Sequence, residues 1–339
     1  MALNKKLNLQ THKPSRFKFF RFQNKYPEKV KIYHSIDDFS HPDIETAVSI
    51  GSFDGVHLGH RKILTRLKEI AGKNNRKTLV ISFSPHPRIY FNPETELKLL
   101  TTDDEKKQLL QEQGIDFLIL QDFNAGFAGQ DPEEFIEKLV NKLHMKDFLF
   151  GYDHHFGKNR SGDFDFVKSL ENKYHFKTHR IDAFLKDGQE ISSTLIRNLL
   201  QEGKVKQAAG YLGYPYFITG KVVKGNQLGR KLGFPTANIS IENPYKLVPK
   251  QGVYLVRSVI DNQPVYGMMN IGFRPTIDGK EQIKEVHFFD FGKDLYDQKI
   301  QVSFLERMRD EQKFPSLEAL KEQLKKDEIY ARSLISEMS

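Results

Sequence analysis

His57 and His60 stand three residues apart in Ser49-Ile50-Gly51-Ser52-Phe53-Asp54-Gly55-Val56-His57-Leu58-Gly59-His60. An apolar run, Ala47 to Ile50, precedes them and reads as a buried parallel strand. A helical pattern follows, with Ile63, Leu64, Leu67, Ile70 and Ala71 on one face and Gly72 expected to close it. A strand that turns sharply into a helix offers free backbone N–H groups and the positive end of the helix dipole, which suits a phosphate. Imidazoles at that turn add donors to a phosphate whose charge rises in a transition state. A lone histidine at a helix start is ordinarily a cap. Two with H-x-G-H spacing inside a glycine-containing turn point to a nucleoside triphosphate. The turn is no Walker A loop, since G-x-x-x-x-G-K-[ST] is absent from the chain, and no G-x-G-x-x-G follows an expected strand.

Other stretches carry polar groups of the same kind. Pro85-His86-Pro87 ends a second apolar run, and Gly151-Tyr152-Asp153-His154-His155-Phe156-Gly157 ends a later one. In Ile191-Ser192-Ser193-Thr194-Leu195-Ile196-Arg197 the hydroxyls either simply cap a helix or join Arg197 in a phosphate clamp, where a guanidinium binds as a fork. Further on, Lys224-Gly225-Asn226-Gln227-Leu228-Gly229-Arg230-Lys231-Leu232-Gly233-Phe234 is a glycine- and base-rich loop able to wrap phosphate. It leads into Pro235-Thr236-Ala237-Asn238. Thr236 and Asn238, two apart on an extended segment, face one way and offer hard oxygen donors to a cation such as Mg²⁺. Glu285 and His287 also share a strand face; Glu285 is either a solvated outward carboxylate or an inward one used as a base.

The elements that must position these groups change character along the chain. From Val30 strands alternate with helices. Expected strands are Lys77 to Phe83, Phe117 to Leu120, Asp147 to Phe150 and Lys177 to Ile181. Expected helices run from Asp103 to Gln113, capped by Thr102 or Asp103 and stopped by Gly114, from Asp131-Pro132 through Leu139, and from about Asp163. Short βα connections imply a doubly wound parallel sheet, whose ligands sit beyond the carboxyl ends of the strands. The His57, Pro85 and Asp153 loops all fall on that rim. After Gly213-Tyr214-Pro215 the helical period stops. Short strands at 217–223, 253–260, 265–271, 285–289 and 300–308 then predict a small antiparallel barrel, closed by a helix from Ser316 to about Leu334. The division expected is a basic extension over 1–29, an α/β domain over 30–213 and a barrel domain over 214–339.

Composition excludes several classes. The 339 residues contain no cysteine, which removes disulfides, thiolate metal sites and cysteine nucleophiles and suits a reducing cytoplasm. No apolar run approaches the length of a membrane span. The net charge of +8 is concentrated in Lys5, Lys6, Lys13, Arg16, Lys18, Arg21 and Lys25, in residues 1–27 of the leader, which carry no acid and no continuous apolar core. The remaining body is close to neutral, which argues against a nucleic-acid partner. Oligomeric state is not set by the sequence; a monomer or a weak oligomer is expected.

Taken in order, G-S-F-D-G-V-H-L-G-H, F-S-P-H-P, G-Y-D-H-H-F-G, I-S-S-T-L-I-R, G-R-K-L-G-F-P-T-A-N, N-I-G-F-R-P-T and E-V-H make the chain resemble the bacterial bifunctional riboflavin kinases/FMN adenylyltransferases (FAD synthetases) from about Val30 onward. The resemblance implies a Rossmann-like nucleotidyltransferase domain followed by a riboflavin kinase barrel. The barrel would phosphorylate riboflavin to FMN with ATP, and the first domain would adenylylate FMN to FAD and release pyrophosphate. It implies Glu285 as general base and Thr236 and Asn238 as holders of Mg²⁺-ATP, with Gly225, Gly229 and Arg230 on the phosphates. It also implies His57 and His60 on the second ATP, with Gly51, Phe53, Asp54, Gly59, Ser193, Thr194 and Arg197 around its phosphates. Pro85, His86, Asp153 and Phe234 would meet flavin. The chain departs from the family pattern where D-F-R-F-G is usual, since His154 and His155 replace the Phe and the basic residue. The leader has no counterpart there. Two rivals remain at this stage: a protein keeping only the kinase activity, and a flavin- or RNA-binding regulator on the same fold.

Overall fold

The computed structural model describes residues 29–151, 156–157, 162–225, 228–276 and 279–338. The leader, Asp153, His154 and His155, and Asn226 and Gln227 of the glycine-rich loop lie outside the described residues. The first half contains β1 (Lys31–Tyr33), β2 (Thr46–Ile50), α1 (Leu58–Lys73), β3 (Lys77–Ser84), α2 (Pro87–Phe91), α3 (Asp103–Glu112), β4 (Phe117–Asp122), α4 (Ala125–Ala128), α5 (Pro132–Leu143) and β5 (Met145–Gly151). It continues with α6 (Phe164–Ser169), α7 (Glu171–Tyr174), β6 (Lys177–Ile181), a small hairpin of β7 (Leu185–Lys186) and β8 (Gln189–Glu190), α8 (Ser193–Gln201) and α9 (Val205–Leu212). The second half contains β9 (Phe217–Val223), α10 (Leu228–Leu232), β10 (Ala237–Ser240), β11 (Gly252–Ile260), β12 (Gln263–Thr276), β13 (Gly279–Phe288), β14 (Lys299–Arg309) and α11 (Leu317–Met338).

The parallel sheet has the order β1-β4-β3-β2-β5-β6. Every residue of β2 is buried, because helices cover both faces of the sheet. Val48 and Ile50 enter one apolar layer and Ala47 the other, as the two-residue period of a strand requires. β2 lies between β3 and β5, where the winding changes direction, so the loop that follows it opens at the crevice of the sheet. The expected strands are all present, β6 and β9 with the expected bounds and most others somewhat longer, while β13 starts earlier, at Gly279, and ends at Phe288, one residue short of expectation. β1 was not specified in sequence because three half-exposed residues carry no periodic signal.

Two helix ends differ from expectation: α11 runs on to Met338 rather than ending at about Leu334, and α1 ends differently too. Gly72 does not stop α1; the helix runs to Lys73, and the left-handed residue is Asn75, with Arg76 N–H reaching back to the Ala71 carbonyl at 2.8 Å. A glycine within a helix costs propensity without breaking it, whereas the backbone reversal needs the residue that adopts positive φ. By contrast α3 begins on the Thr102–Glu105 capping box, and Gly114 follows it at φ +70°.

In the second half the strands close into an antiparallel barrel in the order β10-β13-β12-β11-β14-β9. α11 packs Leu320, Leu324, Ala331 and Leu334 over Phe289, Leu305 and Met268, and Asp327 accepts a fork from Arg309 at 2.6–3.1 Å. Each half has an apolar cluster of its own, and a further one spans both. Leu100, Ile196, Leu200, Val205 and Leu212 share one apolar cluster with Tyr216, Ile218, Val256, Ile271 and Phe304 of the barrel. α8 and α9 therefore brace the barrel as much as the sheet.

Candidate active sites

In the turn after β2, Phe53 (φ +47°), Gly55 (φ +82°) and Val56 (φ +35°) all have positive φ. For a β-branched valine that is a strained conformation, held only where neighbours over-determine it. They do so here. The Val56 N–H bonds the Phe53 carbonyl at 3.1 Å, Tyr214 Oη donates to Gly55 O at 2.6 Å, Ser193 Oγ to Asp54 O at 3.0 Å, and Arg61 Nε to Val56 O at 3.2 Å. This bent turn starts α1 at His57, whose Nδ1 accepts from His60 N at 3.3 Å. Because Nδ1 is an acceptor, the His57 proton sits on Nε2, free to be donated. Gly59 lets the helix start close over that ring: a Cβ there would lie 3.1 Å from His57 atoms.

The two imidazoles stack with centroids 3.7 Å apart and an interplanar angle of 17°. Burial lowers the His57 pKa from 6.5 to about 4 against the opposing pull of Asp54, and burial with the neighbouring His57 and Lys106 holds His60 well below its ordinary range. Both rings are thus neutral donors at neutral pH. Since the folded pKa of His57 is lowered, the unfolded chain takes up the proton first. The resulting stability is present above pH 6.5 and lost as pH falls toward 4. A shift of this size amounts to about 3 kcal/mol for His57. Thermal melts should therefore fall between pH 7 and pH 5, and less steeply in His57→Ala/His60→Ala.

Asp54 was expected on phosphate, and the structure gives it different work. Its buried carboxylate accepts from Leu100 N (3.1 Å), Thr101 N (3.0 Å), Thr101 Oγ1 (3.1 Å) and Arg197 Nη2 (2.7 Å). An anion so engaged, its pKa lowered by Arg197 and these amides against the cost of burial, orients Arg197 and would repel a phosphate. Gly51, similarly, makes room: a Cβ there would lie 3.3 Å from the Phe53 ring, which in turn sits 5.1 Å from His60. Arg197 lies one turn into α8, which is capped by Ser192, with Thr194 exposed beside it. His86 caps α2, and burial with Lys106, Arg197 and Arg88 lowers its pKa to about 4 although Asp54 pulls the other way. His57, His60, His86 and Arg197 thus converge on one rim. Pro85 stands exposed at the mouth of the same loop.

Lys106, buried on α3, was missed in sequence. Its Nζ lies 3.1 Å from Ser82 Oγ and 3.6 Å from Asp103; a lysine in an ordinary amphipathic helix gives no local sign of pointing inward. Among the described residues, buried His60 Nδ1 and Arg197 Nε have no hydrogen-bond partner. Polar atoms are left so at a cost, and a catalytic role is one of the reasons for which they are.

The second site lies on the barrel. Asn238 of β10 pairs in register with Glu285 of β13, which pairs on its other side with Asn270 of β12. Burial raises the Glu285 pKa, partly offset by Arg274 at 3.7 Å. Arg274 belongs to N-I-G-F-R-P-T and had been given no role. His287 Nδ1 donates to Pro235 O at 2.8 Å and packs edge-on against buried Phe234, centroids 5.2 Å apart, which fixes the start of P-T-A-N. The glycine-rich loop closes over the same atoms. A Cβ at Gly225 would fall 2.2 Å from the Asn238 amide, and one at Gly229 would fall 2.3 Å from Phe234 O and 3.3 Å from Thr236 Oγ1. Arg230 is exposed on α10. Hydroxyl, amide and carboxylate oxygens under a glycine backbone are a donor set of the kind Mg²⁺ takes with a polyphosphate. Gly225→Ala should accordingly raise the KM for ATP of this site about tenfold, with the sheet-domain reaction unchanged; steady-state kinetics of the two half-reactions checks it.

A Rossmann-like sheet with histidines and a carboxylate-held arginine at its switch point, joined to a barrel with a carboxylate beside a glycine-wrapped oxygen cluster, defines a two-domain transferase of nucleotide phosphates. Family models agree: FAD synthetase matches residues 40–195 and riboflavin kinase matches residues 212–335. The chain is 40% identical over 303 residues to the bifunctional riboflavin kinase/FMN adenylyltransferase of Buchnera aphidicola, covering 88% of this chain and 96% of that protein. It is 38% identical over 306 residues to that of Escherichia coli K12, covering 89% and 97%. A Streptococcus pneumoniae crystal structure described as a macrolide-efflux protein superposes with TM-score 0.80 at 31% identity, over 90% of this chain and 99% of that one. This chain belongs to the bifunctional riboflavin kinase/FMN adenylyltransferase family, with its FAD synthetase domain first and its riboflavin kinase domain second. Among the described residues no helix is long and apolar enough to cross a membrane.

Proposed function

We propose that the two rims perform the two reactions separately, in a cytoplasmic protein divided near residue 213. On the barrel, the riboflavin 5′-hydroxyl attacks the γ-phosphorus of ATP while Glu285 takes its proton, giving FMN and ADP. The raised pKa of Glu285 suits it to hold that proton. Arg274 steadies the carboxylate, and Phe234 lies beside the site as an apolar wall for the flavin. Gly225, Gly229 and Arg230 bring backbone and charge to the phosphates, and Thr236 and Asn238 would hold Mg²⁺, whose charge offsets that of the polyphosphate.

On the sheet rim a phosphate oxygen of FMN attacks the α-phosphorus of a second ATP. The bond to the β-phosphate oxygen breaks, and FAD and pyrophosphate leave. No covalent enzyme intermediate is needed, so positioning and charge neutralisation carry the rate. His57 and His60 donate from neutral rings, Arg197 supplies the fixed positive charge, and Ser193 and Gly59 shape the turn. Thr194 borders the phosphates. Pro85 and His86 border the flavin, a role that the family resemblance also gives to Asp153.

The observation that carries this reading is the pairing of Asp54 with Arg197 beside the stacked histidines, separate from the Glu285–Asn238 register in the barrel. A product time course with riboflavin, ATP and Mg²⁺ tests it. FMN should rise and then give way to FAD. FMN alone would place a lesion in the adenylyltransferase half, whose sequence departs from the family pattern at His154 and His155, and no conversion by folded protein would overturn both assignments.

A further inference from the structure

We propose that Lys246, in the barrel domain between β10 and β11, is a positioning residue for adenylyl transfer in the sheet domain, so that the ATP site of one domain is completed by the other. The inference rests on the assignment of Asp54 and Arg197 to that site.

The Lys246 side chain is wholly buried, and so is its partner Glu105 on α3. Nζ donates to Glu105 Oε2 and to Leu100 O, each at 2.6 Å. The ammonium also stands over the rings of Tyr216, 4.5 Å from its centroid, and Phe217, at 5.5 Å. A buried ammonium is costly unless its donors are met, and these contacts meet them. Its neighbours hold the same stretch by backbone: Leu99 N donates to Tyr245 O at 2.6 Å, and Leu247 N to Leu99 O at 2.8 Å.

The opposite side of that stretch faces the adenylyltransferase rim. Leu100 gives its carbonyl to Lys246 and its N–H to Asp54 Oδ2. Thr101 gives its N–H and hydroxyl to Asp54 Oδ1 and accepts from Gly55 N at 3.1 Å. Asp54 then holds Arg197 at 2.7 Å. Glu105 also accepts from Thr102 N at 3.0 Å, which fixes the start of α3, the helix that carries Lys106. An apolar pair would join the domains at less cost in desolvation. What a charged pair adds is direction, because Leu100 is pinned from both sides and the carboxylate behind Arg197 keeps one position.

The test uses the full chain. Lys246→Met alone strands the Glu105 carboxylate and risks unfolding, so Lys246→Met/Glu105→Gln, which removes both charges, is compared with it. With FMN supplied, the double variant should show a KM for ATP in adenylyl transfer raised about tenfold. The KM for FMN and the riboflavin kinase constants should be unchanged, the latter also reporting the fold. An unchanged ATP KM, or an equal loss in every constant of both reactions, overturns the proposal. Arg197→Ala separates the layers: if it leaves adenylyl transfer intact, the assignment of the site itself has failed.

Discussion

Glu285→Gln should abolish FMN formation while leaving adenylylation of supplied FMN intact. The substitution keeps size and hydrogen bonding but removes the group that accepts the hydroxyl proton, a loss of about 10²–10⁴ in kcat. Glu285 stands between Asn238 and Asn270 on neighbouring strands, so an amide is accommodated there. A second signature follows from its environment. Because burial raises its pKa, the wild-type kinase rate should climb with pH through that raised value and level off above it. The acid limb should vanish in the variant. A variant that retains full kinase rate, or that loses both activities while folded, contradicts the assignment.

His57→Ala/His60→Ala should reverse the pattern: riboflavin is phosphorylated normally and FMN accumulates. Removing one pre-organised donor to a developing anion typically costs about 10²–10³ in kcat, and two stacked donors serving one triphosphate act together, so the double variant is expected at or beyond that range. Chromatography of the flavins from a single incubation reads it, and the riboflavin kinase rate reports the fold. FAD production at the wild-type rate would remove the histidines from the mechanism. The charged form is not required of either ring in the free protein, since burial holds both neutral. Adenylyl transfer should therefore show no loss from their deprotonation between pH 6 and 8.

Each of these two variants leaves the other reaction as its control, because the proposed assignment sets the two chemistries about two different carboxylates. Burial raises the pKa of Glu285; that of Asp54 is lowered, against the cost of burial, by Arg197 and backbone amides. The contrast explains why an aspartate in the middle of a phosphate-handling motif does not compete with the phosphate.

Much of this was written locally along the chain. The buried run of β2, the cap at the start of α3 (narrowed to Thr102 or Asp103) and the Asp131-Pro132 start of α5 are each decided by residues within a few positions, so pattern and capping chemistry reveal them. The rim loops follow from parallel βα winding, which places strand ends at one edge. The seven ordered motifs pointed to both domains because each is a contiguous run of residues, legible without knowledge of its partners in the fold. What the tertiary structure alone decided are pairings across long separations. Arg197 meets Asp54 across 143 positions, and Lys246 meets Glu105 across 141. Nothing local distinguishes these from solvated charges on helices and loops, and Lys106 reads as an ordinary surface lysine until α3 is packed. Barrel closure likewise sets the register that brings Asn238 beside Glu285. Burial then sets their ionisation, because the cost of a charge depends on what surrounds it once the chain has folded, and a sequence position does not carry its surroundings.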